Sequence, residues 1–508
     1  MNRYQIIISV TLGLSAGQLA LASVVLPEPA EVIASTAIPA DIIPVSIDSN
    51  KNASRSSIHV PVMVEKNSTG KYLSIDDAIL LALRNNPNVF SAQLTRVMDK
   101  YNLEIANNAF QPHYSLNFNQ TYQNNQQSIY EVSPTVGLDT TMGTSFSVNN
   151  TNDMSGDQQT NLNISQHLLK GFGAVNNVNY LNALDNEKTA KLSYQSSITN
   201  VVMSVISDYR SLVSAELNLI IDQKNLKATE KSTQDDELRY KAGKLAKSEL
   251  IQQQATLASA KLSYQSQLNS VQTTYQNFLS QLGVSPWAKF TVDKSVSLPE
   301  VKLPSLEQCV QLAFKNNVDY QREVIELEET HRSVLTAKNN MKWTLDVNLQ
   351  QELEATEGTS GSPVVVSDIS ASDPVLSLSM SVPIDNLQDQ SSLIQAKISY
   401  QEAKENLEQS KRDLMIQVQK QYQAVLYDQQ QIPIGEQSVQ LEKMSLDNVQ
   451  LKFKYGKATA LDVSTIQTSY VEAQSSLVSY RISLLNDLME LDNTLGRVLE
   501  QRGITLRY

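Results

Sequence analysis

Leu73-Ser74-Ile75-Asp76-Asp77-Ala78-Ile79-Leu80-Leu81-Ala82-Leu83-Arg84-Asn85-Asn86 recurs 231 residues later as Pro304-Ser305-Leu306-Glu307-Gln308-Cys309-Val310-Gln311-Leu312-Ala313-Phe314-Lys315-Asn316-Asn317. The match continues ungapped through Asn108/Asn339 to Asn117/Asn348. Farther along, the offset drops to 213. It then pairs Ala183 with Ala396, Tyr209 with Tyr422, Lys241-x-Gly243-Lys244 with Lys454-x-Gly456-Lys457, and Leu282-Gly283 with Leu495-Gly496. The difference of 18 residues falls between about 119 and 162, so the first copy carries a longer insert there. Self-similarity of this kind organises a chain as tandem copies of one plan. Here the copies span 72–288 and 303–500.

Within each copy the hydrophobic period changes twice. Ser74 and Ser305 are good N-caps for a short amphipathic helix ending at Asn-Asn, and a second helix follows, giving helices over 74–110 and 305–341. Strict alternation comes next, over 113–168 and 343–382. Tyr114, Leu116 and Phe118 alternate with Ser115, Asn117 and Asn119; Leu376, Leu378 and Met380 alternate with Ser377, Ser379 and Ser381. Period two gives each strand one apolar and one polar face. Four strands are clear, and Val136, Leu138, Phe146 and Val148 in the longer insert point to an extra hairpin.

Helical segments over 172–283 and 386–497 complete the copies. Leu250, Leu257, Tyr264, Val271 and Phe278 recur every seven residues, as do Val463, Tyr470, Leu477, Leu484 and Leu491. Such a stripe predicts left-handed coiled-coil packing. A helix over 174–240 would run roughly 100 Å at about 1.5 Å per residue. Pro433, followed by Gly435, is expected to interrupt and kink the second copy's long helix near Ile432.

Composition narrows the function. The 508 residues carry a formal charge of −12, unsuited to nucleic acid as a partner. One cysteine, Cys309, excludes an intrachain disulfide, and it takes the place of Ala78 as a small packed residue. Four scattered histidines lack ligand spacing, and no carboxylate pair or serine elbow builds a catalytic centre. The expectation is a protein that is not an enzyme, without catalytic residues, cofactor or metal. Arg3, the apolar run Ile6–Leu21 and the small residues Ala20 and Ala22 read as a signal peptide over 1–22. An extended or disordered leader over 23–71 follows, and 501–508 forms a C-terminal tail. No stretch reaches the length of a transmembrane helix.

Four strands cannot close a membrane sheet alone, because lipid tolerates no free edge. Three chains would supply twelve. The ordered set described above, appearing twice, resembles the TolC-type outer-membrane efflux protein family. It includes Ser74-x-x-Asp77-Ala78-x-x-x-Ala82-Leu83-x-x-Asn86-Pro87, Leu168-Leu169-Lys170-Gly171-Phe172-Gly173, Tyr240-Lys241-Ala242-Gly243-Lys244 and Leu282-Gly283. The resemblance implies a mainly α fold with a β-barrel portion. Long antiparallel coiled-coil helices would form a periplasmic α-barrel, and about four strands per chain would complete an outer-membrane β-barrel in a homotrimer. It also implies a passive exit duct in the outer membrane of a Gram-negative bacterium. Its partners would be outer-membrane lipid, a periplasmic adaptor, and an inner-membrane transporter of the RND, ABC or MFS type in an efflux or type I secretion system.

By the same likeness, the turns carrying Tyr240, Gly243, Lys244, Tyr455, Gly456 and Lys457 form the periplasmic tip and adaptor-docking surface. Glu249 and Asp462, equivalent in the two copies, would supply an acidic ring at the entrance. The alternative is a non-conducting periplasmic coiled-coil structural or surface protein. Heptads alone would suffice for such a rod, and the amphipathic strands speak against it.

Overall fold

The computed structural model describes residues 45–47, 71–121, 129–153, 158–294, 298, 303–357 and 366–506. The signal segment 1–22 and most of the leader 23–71 lie outside the described residues. In chain order the elements are β1 (Val45–Ile47), β2 (Lys71–Leu73), α1 (Ile75–Asn85), α2 (Pro87–Asn108), β3 (His113–Thr121), β4 (Ile129–Asp139), β5 (Thr144–Asp153) and β6 (Gln158–His167). Then come α3 (Val178–Lys241), α4 (Lys247–Leu282), β7 (Phe290–Val292), α5 (Leu306–Asn316), α6 (Val318–Asn340), β8 (Thr344–Glu357), β9 (Val366–Ala371) and β10 (Val375–Ser381). The chain closes with α7 (Leu387–Lys454), α8 (Ala460–Thr494), α9 (Val498–Gln501) and β11 (Ile504–Leu506).

Two compact units result. Residues Asp99–Glu187 and Leu327–Ala403 belong to one, and Ile43–Met98, Lys188–Glu326 and Lys404–Tyr508 to the other.

The second unit shows why the repeated motifs recur. Ser74 caps α1 by accepting a hydrogen bond from the Asp77 N–H, and Ser305 caps α5 in a full capping box with Gln308. At the far end of α1, the Asn86 side chain donates to Gln281 O at 2.7 Å, fastening the short helix to the end of α4. Asn317 repeats the bond to Thr494 O at 3.1 Å, at the end of α8. Gly283 and Gly496 sit opposite, at φ +67° and +66°. A Cβ on either would lie 2.7 Å from the carbonyl carbon of Asn85 or Asn316. Asn-Asn and Leu-Gly are therefore two halves of one joint, built twice.

Two apolar cores flank these joints and use equivalent repeat positions. One gathers Ala78, Ala82, Val205, Leu212, Phe278 and Leu282. The other gathers Cys309, Ala313, Val418, Val425, Leu491 and Leu495. Burying each large member contributes about 1.5–3 kcal/mol. Cys309 is fully buried, and burial pushes its thiol pKa up, as suits a packing residue.

The first unit holds the sheet. Its order is β10-β8-β6-β5-β4-β3, every neighbour antiparallel, with β9 also on β8. Since β9 and β10 pair successive stretches of β8, they form one lane broken at Ser372–Pro374, where proline has no N–H to give the ladder. Among the described residues the sheet thus has six lanes, not four. The extra hairpin is β4–β5, and it fills the longer insert of the first copy.

One further expectation needs correction in part. Pro433 does not end the helix: α7 runs unbroken from Leu387 to Lys454. Proline removes one hydrogen bond, but Ile432 beside it packs into the second core with Tyr480 and Leu484. Gly435 lets α8 come close, since a Cβ there would lie 3.1 Å from the Tyr480 ring. The leader and the tail are also tied together, because β1 pairs with β11 antiparallel, matching Val45 to Leu506. Backbone groups at chain ends find partners in short strands when a sheet edge is offered. No helix of the described residues is long and apolar enough to cross a membrane, which says nothing of strands.

Candidate functional site

Two surfaces matter: the paired turns ending the long helices, and the faces of the sheet.

At the first turn, α3 closes with the Lys244 N–H donating to Arg239 O at 2.9 Å and the Gly243 N–H to Tyr240 O at 2.9 Å. At the second, the Lys457 N–H donates to Lys452 O at 2.9 Å and the Gly456 N–H to Phe453 O at 3.0 Å. Both glycines have φ +70°. This double bond around a left-handed glycine is the Schellman closure. Arg239 and Lys241, and Lys452 and Lys454, place positive charge at helix C-termini, where the dipole favours it. Tyr240, Lys244, Tyr455 and Lys457 are all exposed around these turns. A Cβ on Gly243 or Gly456 would meet no atom within 4 Å.

The structure links the two turns through a contact the sequence reading missed. The Arg239 guanidinium lies over the Phe453 ring, 5.1 Å from its centroid. Arg239 also stands 3.9 Å from the nearly buried Asp236, whose carboxyl pKa is raised by burial and opposed by Arg239. Polar side chains join neighbouring helices nearby. The Gln467 amide donates to Asn225 Oδ1 at 3.0 Å, and the Thr256 and Ser464 hydroxyls share a hydrogen bond at 3.1 Å.

Glu249 and Asp462 occupy the first turns of α4 and α8, as their spacing predicts, but their surroundings differ. Asp462 accepts from the Thr459 N–H at 2.8 Å and from its hydroxyl at 2.7 Å, and Thr459 Oγ1 accepts from the Asp462 N–H at 3.2 Å. Hydrogen bonds from the Thr459 backbone and hydroxyl hold its carboxyl below the usual aspartate pKa. Glu249 caps nothing, because α4 begins at Ala246 without a side-chain cap. The spacing Thr459-x-x-Asp462 is a capping-box signature legible in sequence.

The sheet separates its side chains by chemistry. On one face, Tyr114 pairs with Val136, Val136 with Val148, and Val148 with Leu162. Ile164 pairs with Leu349, and Leu349 with Leu376. The other face carries Asn117, Ser133, Asn149, Asn163 and Asn348 in the intervening registers. Apolar residues lie open: Tyr114 is 78% exposed, Leu116 70%, Leu376 71% and Leu378 67%. A band of this extent is not left against water by a monomeric soluble protein. Strands of 9–11 residues (β3 to β6) match the span of a tilted membrane strand. An exposed apolar band on strands of this length suits a sheet set against lipid.

The sequence profile of the outer membrane efflux protein family matches residues 78–284 and 316–497. The chain belongs to that family, which places it in the outer membrane of a Gram-negative bacterium. No curated protein sequence matches it significantly. Solved structures share the fold at low identity. The outer membrane protein VceC of Vibrio cholerae is 17% identical with a TM-score of 0.62, over 83% of this chain and 96% of that one. The CmeC outer membrane channel of Campylobacter jejuni is 13% identical with a TM-score of 0.64, over 91% and 98%. The MtrE outer membrane channel of Neisseria gonorrhoeae, crystallised in an open state, is 15% identical with a TM-score of 0.63, over 90% and 98%.

Proposed function

We propose that this outer-membrane efflux protein assembles as a homotrimer and gives substrates a passive exit duct, energised by an inner-membrane transporter reached through a periplasmic adaptor. The carrying observation is the exposed apolar face of a sheet whose outer lanes, β3 and β10, each pair on one side only among the described residues. In hydrocarbon such edges must be closed by further strands. The chain holds no energy-converting site in this reading, so the drive comes from a transporter of the RND, ABC or MFS type. The adaptor docks on the tip turns, where Tyr240, Lys244, Tyr455 and Lys457 surround Gly243 and Gly456. Glu249 and Asp462 line the entrance as an acidic ring.

The docking assignment is tested by combining Gly243→Trp and Gly456→Trp. A Cβ at either site meets no atom within 4 Å, so the branch point itself adds only the left-handed backbone strain, about 1–2 kcal/mol per site. The double variant should reach the outer membrane as a trimer yet fail to restore efflux to a strain lacking this chain. Unchanged efflux would remove the docking surface from these turns.

A further inference from the structure

The β4–β5 hairpin widens the sheet in a way that fixes how copies can join. It lies between β3 and β6, bonded to both, so it is part of the wall. Its apolar residues continue the band, with Leu138 beside Phe146 and Phe146 beside Ile164. Its turn is seated rather than loose. The His167 N–H donates to Gly143 O at 3.2 Å, and the Gly173 N–H to Met142 O at 3.2 Å. Gly143 has φ +85°, and a Cβ there would lie 2.7 Å from the Asn176 amide nitrogen, which itself donates to Gly171 O at 2.6 Å. No plug or detached arm needs that joinery.

Successive lanes alternate in direction and there are six, so β3 and β10 run oppositely. The β3 edge of one copy can therefore meet the β10 edge of the next as an ordinary antiparallel neighbour, and identical copies can add in a ring. We propose that the trimer closes as an eighteen-stranded barrel, each β3 edge pairing with the β10 edge of the next copy and the β4–β5 hairpin forming lipid-facing wall. This rests on the threefold assembly put forward above. With strands about 4.8 Å apart and tilted about 40°, eighteen strands give a backbone radius of about 18 Å, and twelve would give about 12 Å. The polar face carries Asn117, Ser133, Asn149 and Asn163 together with Glu131, Asp346, Glu352 and Glu354, so the wider bore is polar and acidic. The membrane portion then sets no tight size limit on hydrophilic cargo, and sieving falls to the helical portion.

The test uses a Cys309→Ala background, which removes the one native thiol and copies the residue found at Ala78. Nitroxide labels go on neighbouring β5 positions, Val148→Cys and Ser147→Cys, in the full chain reconstituted in lipid. Val148 should be relaxed by oxygen dissolved in the bilayer, and Ser147 by a water-soluble nickel complex in the lumen. In parallel, cysteine pairs combining Ser115, Asn117 or Asn119 with Ser377, Ser379 or Ser381 should yield interchain disulfides in at least one register. Light scattering, with detergent mass subtracted, reports copy number. A trimer in which both labels see only the nickel complex, or in which no pair cross-links, overturns the eighteen-stranded wall and leaves the trimer standing. A dimer or monomer overturns the threefold assembly and the strand count with it.

Discussion

Gly283→Ala places one methyl group where the repeat joint has no room. The residue sits at φ +67°, and the new Cβ would lie 2.7 Å from the Asn85 carbonyl carbon and 3.0 Å from Asn86 Cα. These are backbone atoms, so no side chain can swing aside. The bond from the Asn86 amide to Gln281 O at 2.7 Å holds the surfaces together. The left-handed conformation costs about 1–2 kcal/mol for a residue with a Cβ. Overpacking adds about 1–3 kcal/mol, for a loss of roughly 2–5 kcal/mol. Gly243→Ala is the matched control, since its φ is +70° but nothing lies within 4 Å of the new carbon. Only the conformational cost remains there, about 1–2 kcal/mol. Denaturant unfolding of both variants in detergent, followed by helical circular dichroism, gives the comparison. Gly496→Ala should behave like Gly283→Ala, because its Cβ meets Asn316 at the same 2.7 Å. Equal losses at Gly243 and Gly283 would refute the steric reasoning and leave backbone conformation as the whole effect.

Two other perturbations read separate parts of the molecule. Arg332 on α6 pairs with the buried Asp185 on α3 and donates to Asn182 Oδ1 at 3.0 Å. Arg332→Met should cost about 3–5 kcal/mol, and adding Asp185→Leu should recover much of it, both read from thermal melting. Asp428 and Asp487 meet between α7 and α8, and burial raises both carboxyl pKa values; their mutual hydrogen bond raises that of Asp428 further and holds that of Asp487 down. The folded state therefore binds these protons more tightly than the unfolded chain. Their contribution is full below the unfolded pKa of about 4 and is lost as pH rises through the raised folded values. Asp428→Asn should gain stability relative to the parent between pH 4 and pH 7, and parallel melting curves across that range would contradict the burial argument.

Much of the architecture is legible before any coordinates, because repetition supplies a second reading of each motif. Asn86 and Gly283 are ordinary alone, but their recurrence as Asn317 and Gly496 marks them as partners. The strands are legible from strict alternation at Tyr114–Asn119 and Leu376–Ser381. The lane count is harder. Val132, Pro134 and Val136 alternate with Ser133 and Thr135, yet a proline at that position argues locally against a strand. Pro433 misleads as to a break for the opposite reason, since a local rule predicts an interruption and the helix continues with Ile432 packed into the second core. The Arg239–Phe453 contact joins side chains 214 positions apart with no spacing to announce it. Asp462 carried a readable signal in Thr459-x-x-Asp462, which explains its first-turn carboxylate without any pore.

Current through the purified assembly in a planar lipid bilayer tests the exit-duct account most directly. The account predicts discrete conductance steps with cations preferred over anions, because carboxylates confined near an entrance concentrate cations. Asp462→Asn should weaken that preference more than Glu249→Gln, since the bonds from Thr459 hold the Asp462 carboxylate in one position while α4 has no such cap to hold Glu249. Folded, membrane-inserted protein that passes no current, or a pore that prefers anions, would contradict it.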